Sequence, residues 1–188
     1  QVLSSAASDV YKRQALKGGV PNEKIVFHGN NKSDKEIEFA VRNNIKVIVD
    51  NDYDLERLEN LSNSFNHDLE IMIRFTPGIE CHTHEYIRTG SFDSKFGFGI
   101  EYLNTLFNRI SNTKHLKLKG LHAHIGSQIF ELDPHKDLGE IMVKVILDAK
   151  KFGHNIDELN VGGGLGIKYT ESDDCLLYTS PSPRDVSS

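Results

Sequence analysis

The chain has 188 residues, of which 38% are hydrophobic and 26% are charged, and its formal net charge at pH 7 is −5. This composition is typical of a globular protein and excludes a disordered chain. The sequence contains no run of about 18 apolar residues, which excludes a helical membrane span in it, and its scattered lysines and arginines argue against a nucleic-acid binder.

Cysteine usage points to a reducing compartment. The two cysteines, Cys81 and Cys175, are too few for a disulfide framework and argue against a cysteine-based zinc site. No stretch near the first residue combines a basic region with an apolar core and a small-residue cleavage site. We therefore expect a cytoplasmic location and no membrane partner.

The two ends of the chain are related through their codons. Residues 9–14 can be encoded by GAT GTG TAT AAG AGA CAG, and the reverse complement of this DNA, read one base out of phase, encodes residues 175–179. The ends therefore resemble a translated transposase sequencing adapter, with natural, poorly ordered tails as the alternative. We predict that residues 1–14 and 175–188 are adapter-derived and non-native, and that residues 15–174 are a fragment cut at both ends.

The first predicted unit is a strand followed by a helix. Residues 25–28 form a short apolar run before turn residues, which indicates a buried strand. Ser33 and Glu36 have the spacing of a capping box, in which each side chain bonds the backbone amide of the other residue. The predicted helix then carries an apolar stripe at helical spacing, made of Ile37, Ala40 and Val41.

The alternation of strand and helix continues along the chain. Further strands are predicted at residues 47–49, 69–75, 118–125 and 159–161, and further helices at residues 53–61, 102–110 and 135–152. A long loop, residues 79–99, interrupts this alternation, and such loops are usually functional. The pattern predicts an α/β fold with about five parallel strands, either an open doubly wound sheet or a partial (β/α)8 TIM-type barrel.

A glycine run follows the last predicted strand. It is not a dinucleotide fingerprint, because Ile167 or Tyr169 stands where the third glycine is needed, and it lacks the Lys-Ser/Thr ending of a P-loop. Gly162, Gly163 and Gly164 instead predict a turn whose unhindered N–H groups hold a phosphate. A tight turn that simply needs positive φ is the alternative.

Residues 120–128, with the sequence GLHAHIGSQ, form a second junction of strand and turn. His122 and His124 are two residues apart on the predicted strand, so their side chains are expected on one side. One interpretation is a metal pair, as in barrel hydrolases, although two histidines are an incomplete ligand set. The other gives a cofactor ring to His124 and an anion to Ser127, and leaves His122 as a satisfied core residue.

Other polar residues are weaker candidates. Arg74 lies inside an otherwise apolar predicted strand, so it is expected to pair with a carboxylate or to point into a site. Asp93 and Lys95 fit a surface ion pair, which contributes little to stability. A second histidine pair, His82 and His84, falls in the long loop and is less convincing as a metal site.

Together these motifs resemble the diaminopimelate decarboxylases, within the alanine racemase-like (fold type III) group of pyridoxal-phosphate enzymes. The matching stretches run in family order across nearly all of residues 15–174. They are residues 27–33 (FHGNNKS), 84–90 (HEYIRTG), 93–98 (DSKFGF), 120–128 and 162–166, with Tyr169 and residues 173–174. The resemblance implies an N-terminal (β/α)8 barrel, here partial and without the C-terminal β domain, in a protein that works as a homodimer.

The resemblance also implies a set of cofactor-binding residues for pyridoxal 5'-phosphate. His124 matches the residue that packs on the pyridine ring, and Ser127 with the glycines at 162–164 matches the phosphate cradle. Arg74 is similar to the barrel arginine near the ring side of the cofactor. Lys95 matches a loop that lies close to the partner subunit in relatives.

Other family parts are expected outside residues 15–174. The lysine that attaches the cofactor would precede them, and a Glu-Pro-Gly-Arg segment, a catalytic cysteine with its glutamate and a phosphate-binding tyrosine would follow, so no catalytic residue and no metal site are expected here. The resemblance implies that the parent protein converts meso-2,6-diaminopimelate to L-lysine and CO2, and that the fragment alone is inactive. The alternatives are a related decarboxylase of another basic amino acid or carboxylated polyamine, a non-catalytic cofactor-binding homologue, or a His-x-His metal-dependent barrel hydrolase.

Overall fold

The computed structural model describes residues 3–5, 14–79 and 96–166, and it alternates parallel strands with helices. The strands are β1 (Leu3–Ser5), β2 (Ile25–Phe27), β3 (Lys46–Val49), β4 (Leu69–Thr76), β5 (Phe98–Gly99), β6 (Leu116–His122) and β7 (Glu158–Asn160). The α-helices of more than one turn are α1 (Asp34–Arg42), α2 (Asp52–Phe65), α3 (Leu103–Ser111) and α4 (Asp133–Lys151). Short 3-10 turns at Asn22–Lys24 and Ile100–Tyr102 lead into β2 and α3.

All strand pairs are parallel, and the main sheet has the order β1-β2-β3-β4-β6-β7, with β5 paired to β4 beside this path. Neighbouring strands therefore follow chain order without the reversal that defines a doubly wound sheet. That order is the one found in a (β/α)8 barrel, in which each new strand is added on the same side of the last. The described sheet is thus part of a barrel wall.

Local sequence explains where two of the helices begin. The Ser33 hydroxyl accepts from the Glu36 amide at 3.4 Å, and the Glu36 carboxylate accepts from the Ser33 amide at 2.9 Å, so the predicted capping box is present. Helix α2 begins after Asn51, whose side chain accepts from the Asp54 amide at 2.9 Å. Both caps satisfy backbone donors that the first helical turn leaves unpaired.

The sheet has two different faces. The outer face packs on the helices and forms most of the core, in which Val47, Ile71 and Leu121 of the strands meet Ile37, Leu55 and Phe107 of the helices. The opposite face carries a separate small apolar cluster of Val26, Ile48 and Met72. Because side chains alternate along a strand, the residues two positions later in β2, β3 and β4 belong to this same inner face.

The five predicted strands are confirmed, and the structure adds two. Strand β5 has only two residues and lies inside the predicted long loop, where it pairs beside the end of β4; a segment this short carries no periodic signal. Strand β1 pairs with β2 within the range interpreted as adapter-derived. The adapter origin of residues 1–14 and 175–188 stays a prediction.

The end of β6 was predicted too late. The strand stops at His122, three residues before the predicted end, because its neighbour β7 stops at Asn160 and the last ladder bond runs from the Ala123 amide to the Asn160 carbonyl at 3.0 Å. Gly126 then takes a φ of 144°, outside strand geometry. The prediction that His122 and His124 lie on one strand is therefore wrong, because only His122 belongs to β6.

Among residues 14–79 and 96–166, none of the helices has both the length and the apolar character needed to cross a membrane. Several predicted features lie outside the described residues. These are Cys81, His82, His84, Asp93, Lys95 and Cys175.

The close pairing of β4 and β6 at Gly120 generates a prediction about stability. A Cβ atom at Gly120 would lie 2.6 Å from Met72 Cε and 3.0 Å from the Glu158 carbonyl oxygen, whereas a Cβ atom at Gly139, in α4, would meet no atom within 4 Å. We expect Gly120→Ala to lower the free energy of unfolding by about 1–3 kcal/mol because it overpacks the inner face. Gly139→Ala is expected to raise it by about 0.5–1 kcal/mol because it favours the helix.

Urea titration of the two variants beside the unsubstituted protein measures both changes. Equal stability of the two variants would contradict the packing described for Gly120.

Candidate functional site

A layer of polar side chains lies at the carboxyl ends of four strands. His28 follows β2, Asp50 follows β3, Arg74 lies near the end of β4, and His122 ends β6. Three of them come two residues after the inner apolar cluster, so the inner face changes from apolar to polar towards the carboxyl ends. Ligand sites in barrels of parallel strands are built at this end.

Arg74 is held by an ion pair inside this layer. Its Nη1 lies 2.9 Å from Oδ1 of Asp50, which is only 2% exposed, and its guanidinium lies 4.9 Å from the centre of the Phe96 ring. The predicted carboxylate partner of Arg74 is therefore Asp50. Pairing of this kind allows a guanidinium to be placed beside a largely buried site without an uncompensated charge.

Two histidines meet in the middle of the layer. The rings of His28 and His122 are 4.6 Å apart between centroids and stand edge to face. Burial, followed by the influence of His122, lowers the pKa of His28 to about 3. Burial, followed by the positive charge of Arg74, lowers the pKa of His122 to about 4. Both imidazoles are therefore neutral at pH 7.

His124 faces the glycine turn. A Cβ atom at Gly162 would lie 2.8 Å from His124 Nδ1, and the backbone of Gly163 hydrogen-bonds the imidazole. Gly162 and Gly164 have φ values of 72° and 112°, which L-residues with side chains rarely adopt. Burial and then Arg74 lower the pKa of His124, so this ring is also favoured in its neutral form.

The loops after β6 and β7 are joined by backbone hydrogen bonds. The Ile129 amide donates to the Gly164 carbonyl and the Gly166 amide donates to the Ile129 carbonyl, each at 2.8 Å. A Cβ atom at Gly164 would lie 1.9 Å from the Gly126 carbonyl oxygen, so only glycine allows this approach. Ser127 is exposed in the loop that this contact holds.

A network of ion pairs lies next to the layer, at the turn that follows β2. Lys32 Nζ lies 2.5 Å from Asp54 Oδ2 and donates to the Gly29 carbonyl at 2.5 Å, next to His28. Asp54 also accepts from Arg57 at 2.7 Å, so its two oxygens have separate cationic partners. Burial lowers the pKa of Lys32, and Asp54 opposes that change. The network fixes the turn that follows β2.

The structure brings most of the predicted cofactor residues to one place. Arg74 influences the pKa of His124, His124 contacts the turn at residues 162–164, and the loop of Ser127 is joined to that turn. Lys95 lies outside the described residues. In the part of the chain that the structure describes, no group of three or more His, Cys, Asp or Glu side chains is arranged to hold a metal ion.

Sequence reasoning missed several residues in this layer and next to it. His28 and Lys32 were noted only within a matching motif, and Asp50 and Asn160 were not singled out. His28 and Asp50 did carry a signal, because each is the first polar residue after a buried apolar strand. Asn160 lies within a predicted strand, and nothing in the local pattern separates it from an ordinary strand residue.

Comparison with known proteins identifies the family of the chain. A family model described as "Pyridoxal-dependent decarboxylase, pyridoxal binding domain" matches residues 5–180. The chain belongs to this family. The predicted resemblance and the predicted cofactor, pyridoxal phosphate, are thereby confirmed at the level of the pyridoxal-dependent decarboxylase family, and the metal-hydrolase alternative is not the family that matches.

Individual relatives of this pyridoxal-dependent decarboxylase domain agree among themselves. The chain is 55% identical over 152 residues to the diaminopimelate decarboxylase of Synechocystis sp., covering 81% of this chain and 32% of that protein. It is 40% identical over 179 residues to the diaminopimelate decarboxylase of Bacillus subtilis, covering 88% of this chain and 38% of that protein. The chain therefore spans about a third of the length of these curated relatives.

A solved structure has the same fold. The crystal structure of diaminopimelate decarboxylase from Helicobacter pylori complexed with L-lysine matches with a TM-score of 0.81 at 33% identity. The match covers 89% of this chain and 43% of that chain. The partial barrel predicted from the sequence is thus confirmed.

The lowered pKa values of His28 and His122 predict a pH dependence of stability. An unfolded histidine protonates near pH 6.5, whereas these folded histidines protonate only near pH 3 and pH 4. Between about pH 6.5 and 4 the unfolded state therefore binds more protons, and the free energy of unfolding falls as the pH falls. Each histidine contributes up to about 1.4 kcal/mol per pH unit in this window.

Replacing His122 by Asn removes one of these contributions. Urea titrations between pH 6.5 and 4.5 should show a shallower pH dependence for His122→Asn than for the unsubstituted protein. Ser64→Ala, on the exposed side of α2, removes no titratable group, so it is the control and should keep the original slope. Equal slopes for all three proteins would mean that His122 is not kept neutral by burial.

Proposed function

We propose that this chain is part of a pyridoxal-phosphate-dependent decarboxylase that converts meso-2,6-diaminopimelate to L-lysine and CO2. The observation that carries the proposal is 55% identity over 152 residues to a diaminopimelate decarboxylase. The L-lysine in the Helicobacter pylori structure supports the choice of product. A cytoplasmic location and a homodimer in the full-length protein belong to the same proposal.

The described residues fit the phosphate end of the cofactor. The turn at residues 162–164 combines positive φ values with contacts that leave no space for a Cβ atom at Gly162 or Gly164. Such a turn presents backbone N–H groups without side chains in front of them, which is the chemistry that binds a phosphate dianion. Gly163, Gly164 and the Ser127 hydroxyl would hold the phosphate, and Gly162, whose amide donates to Asn160, would shape the turn around it.

His124 would hold the ring, and Arg74 would lie at its side with its charge balanced by Asp50. Bound pyridoxal phosphate supplies a protonated pyridine ring that accepts the electron pair left when CO2 departs. A neutral imidazole is a suitable neighbour for that ring, because an imidazolium would repel its positive charge, and burial together with Arg74 keeps the pKa of His124 low. Asp50 fixes the position of Arg74 at the side of the site.

The chain by itself is expected to bind the cofactor weakly at most and to show no turnover. A closed barrel of this type needs eight strands, whereas β7 is an edge strand of the described sheet. Covalent attachment of the cofactor and protonation of the product are assigned by the resemblance to residues outside 15–174. The residues described here would bind and orient the cofactor.

The function is tested with the purified full-length protein and a panel of amino acids. CO2 release and product mass are measured with meso-2,6-diaminopimelate, L-arginine, L-ornithine and a carboxylated polyamine. We expect L-lysine from meso-2,6-diaminopimelate and at least about a hundred-fold lower kcat/KM with the others, because a site built for a polar group rejects substrates that leave its polar partners unpaired.

A Ser64→Ala variant, changed on the exposed side of α2, should match the unsubstituted enzyme, whereas Ser127→Ala should need more cofactor to reach its full rate. Faster CO2 release from any other compound than from meso-2,6-diaminopimelate would contradict the proposed substrate. Release of CO2 without added or bound pyridoxal phosphate would contradict the proposed cofactor.

A further inference from the structure

His122 has no role in the proposed function, yet it is one of the most buried polar side chains of the inner face. It is 4% exposed and ends β6. Its Nδ1 lies 3.1 Å from the carbonyl oxygen of Asn160, on the neighbouring strand β7. A carbonyl oxygen can only accept, so Nδ1 carries the proton of this neutral ring.

Asn160 contacts both His122 and the glycine turn. Its carbonyl accepts from His122 and from the Ala123 amide, the latter at 3.0 Å, so the end of β7 is tied to β6 by two bonds. Its side-chain Oδ1 accepts from the Gly162 amide at 2.9 Å. A single residue therefore connects the buried histidine to the first glycine of the turn.

The glycine turn is fixed from two sides by these contacts. Asn160 holds the Gly162 amide on one side, and His124 lies against Gly162 and Gly163 on the other. Gly162 has a φ of 72°, a conformation that glycine adopts freely. Because glycine also adopts other conformations freely, contacts are needed to keep it in this one. Loss of the Asn160 contact would therefore release the turn to other conformations.

We propose that His122 is a positioning residue that, through Asn160, holds the turn at residues 162–164 in the shape that receives a phosphate group. This inference rests on the proposed function for the identity of the phosphate, which is that of pyridoxal phosphate. His122 itself contacts neither phosphate nor ring in this scheme. It acts by orienting Asn160.

The surroundings of His122 suit such a role. The edge-to-face contact with His28, at 4.6 Å between centroids, fixes the ring plane. Among the described residues, the charged and titratable groups beside it are His28, directly after β2, Arg74 from β4 and His124 from its own loop. None of them is a carboxylate, so the environment keeps the imidazole neutral and keeps its one proton directed at Asn160.

Three substitutions separate positioning from simple core packing. His122→Asn retains an N–H donor close to the place of Nδ1, whereas His122→Leu retains volume but no donor. Asn160→Ala removes the Oδ1 acceptor and leaves both histidines intact. The control is His154→Leu, because His154 Nε2 bonds the Phe107 carbonyl at 2.8 Å, which is the same kind of contact away from the site.

The first measurement compares pyridoxal phosphate with pyridoxal, its unphosphorylated form, in binding to the cofactor-free full-length protein. We expect His122→Leu and Asn160→Ala to weaken binding of pyridoxal phosphate about ten-fold, the effect of losing one hydrogen bond, and to leave pyridoxal within about two-fold. His122→Asn and His154→Leu should stay within about three-fold for both compounds. Equal losses for the two compounds, or no loss in either variant, would overturn the proposal.

The second measurement does not depend on the cofactor. Hydrogen exchange of the amides at residues 162–164 in the cofactor-free protein should be about ten-fold faster in His122→Leu and in Asn160→Ala, but unchanged in His122→Asn. Unchanged exchange in both of the first two variants would overturn the positioning role. If the unsubstituted protein bound neither compound, the proposed function would fail, while the exchange rates would still decide the role of His122.

Discussion

The site depends on the contact between two loops that are separated by almost forty residues in sequence. The loop after β6 and the turn after β7 are joined by the two backbone bonds of Ile129, at 2.8 Å each, which together form an isolated parallel bridge between Ile129 and Leu165. The contact is possible because Gly164 places no side chain against the Gly126 carbonyl. It holds Ser127, His124 and the glycine turn beside one another, and no other described contact joins all three.

The polar layer beneath these loops solves a second physical problem, which is to bury ionisable groups without losing stability. Arg74 is paired with Asp50, and Lys32 is paired with Asp54, so the half-buried and the buried cation each have a carboxylate partner. The histidines are not paired with carboxylates and remain neutral instead, because burial and nearby positive charge lower the pKa values of His28 and His122. At neutral pH the positive charge of this region therefore comes from the paired cations and not from the histidines.

Much of the fold could be predicted because its signals are local. The capping box of Ser33 and Glu36 fixed the start of α1, and the apolar runs predicted β2, β3, β4, β6 and β7 to within a few residues. The end of β6 could not be predicted, because it depends on where β7 stops, and that is a pairing between residues 38 positions apart. The two-residue strand β5 has too few positions to show any periodicity.

In the candidate site, too, residues with a local sequence signal were predicted and residues that act through distant contacts were not. Glycines and motif residues at strand ends predicted His124, Ser127 and the turn at residues 162–164, and the structure places these residues together. Asp50 and Asn160 act through contacts to other strands, with Arg74 and with His122, and such pairs have no sequence spacing of their own. A polar residue directly after a buried strand is the one local signal that would have indicated Asp50.

The most direct test of this account is cofactor retention by the full-length protein with Gly164→Ala, compared with Gly153→Ala. Both glycines have positive φ values, 112° and 84°, so both substitutions introduce backbone strain, but a Cβ atom at Gly153 would meet no atom within 4 Å. The account predicts that Gly164→Ala loses pyridoxal phosphate during purification, because the two loops separate, whereas Gly153→Ala retains it. Full retention by a folded Gly164→Ala protein would contradict the central claim.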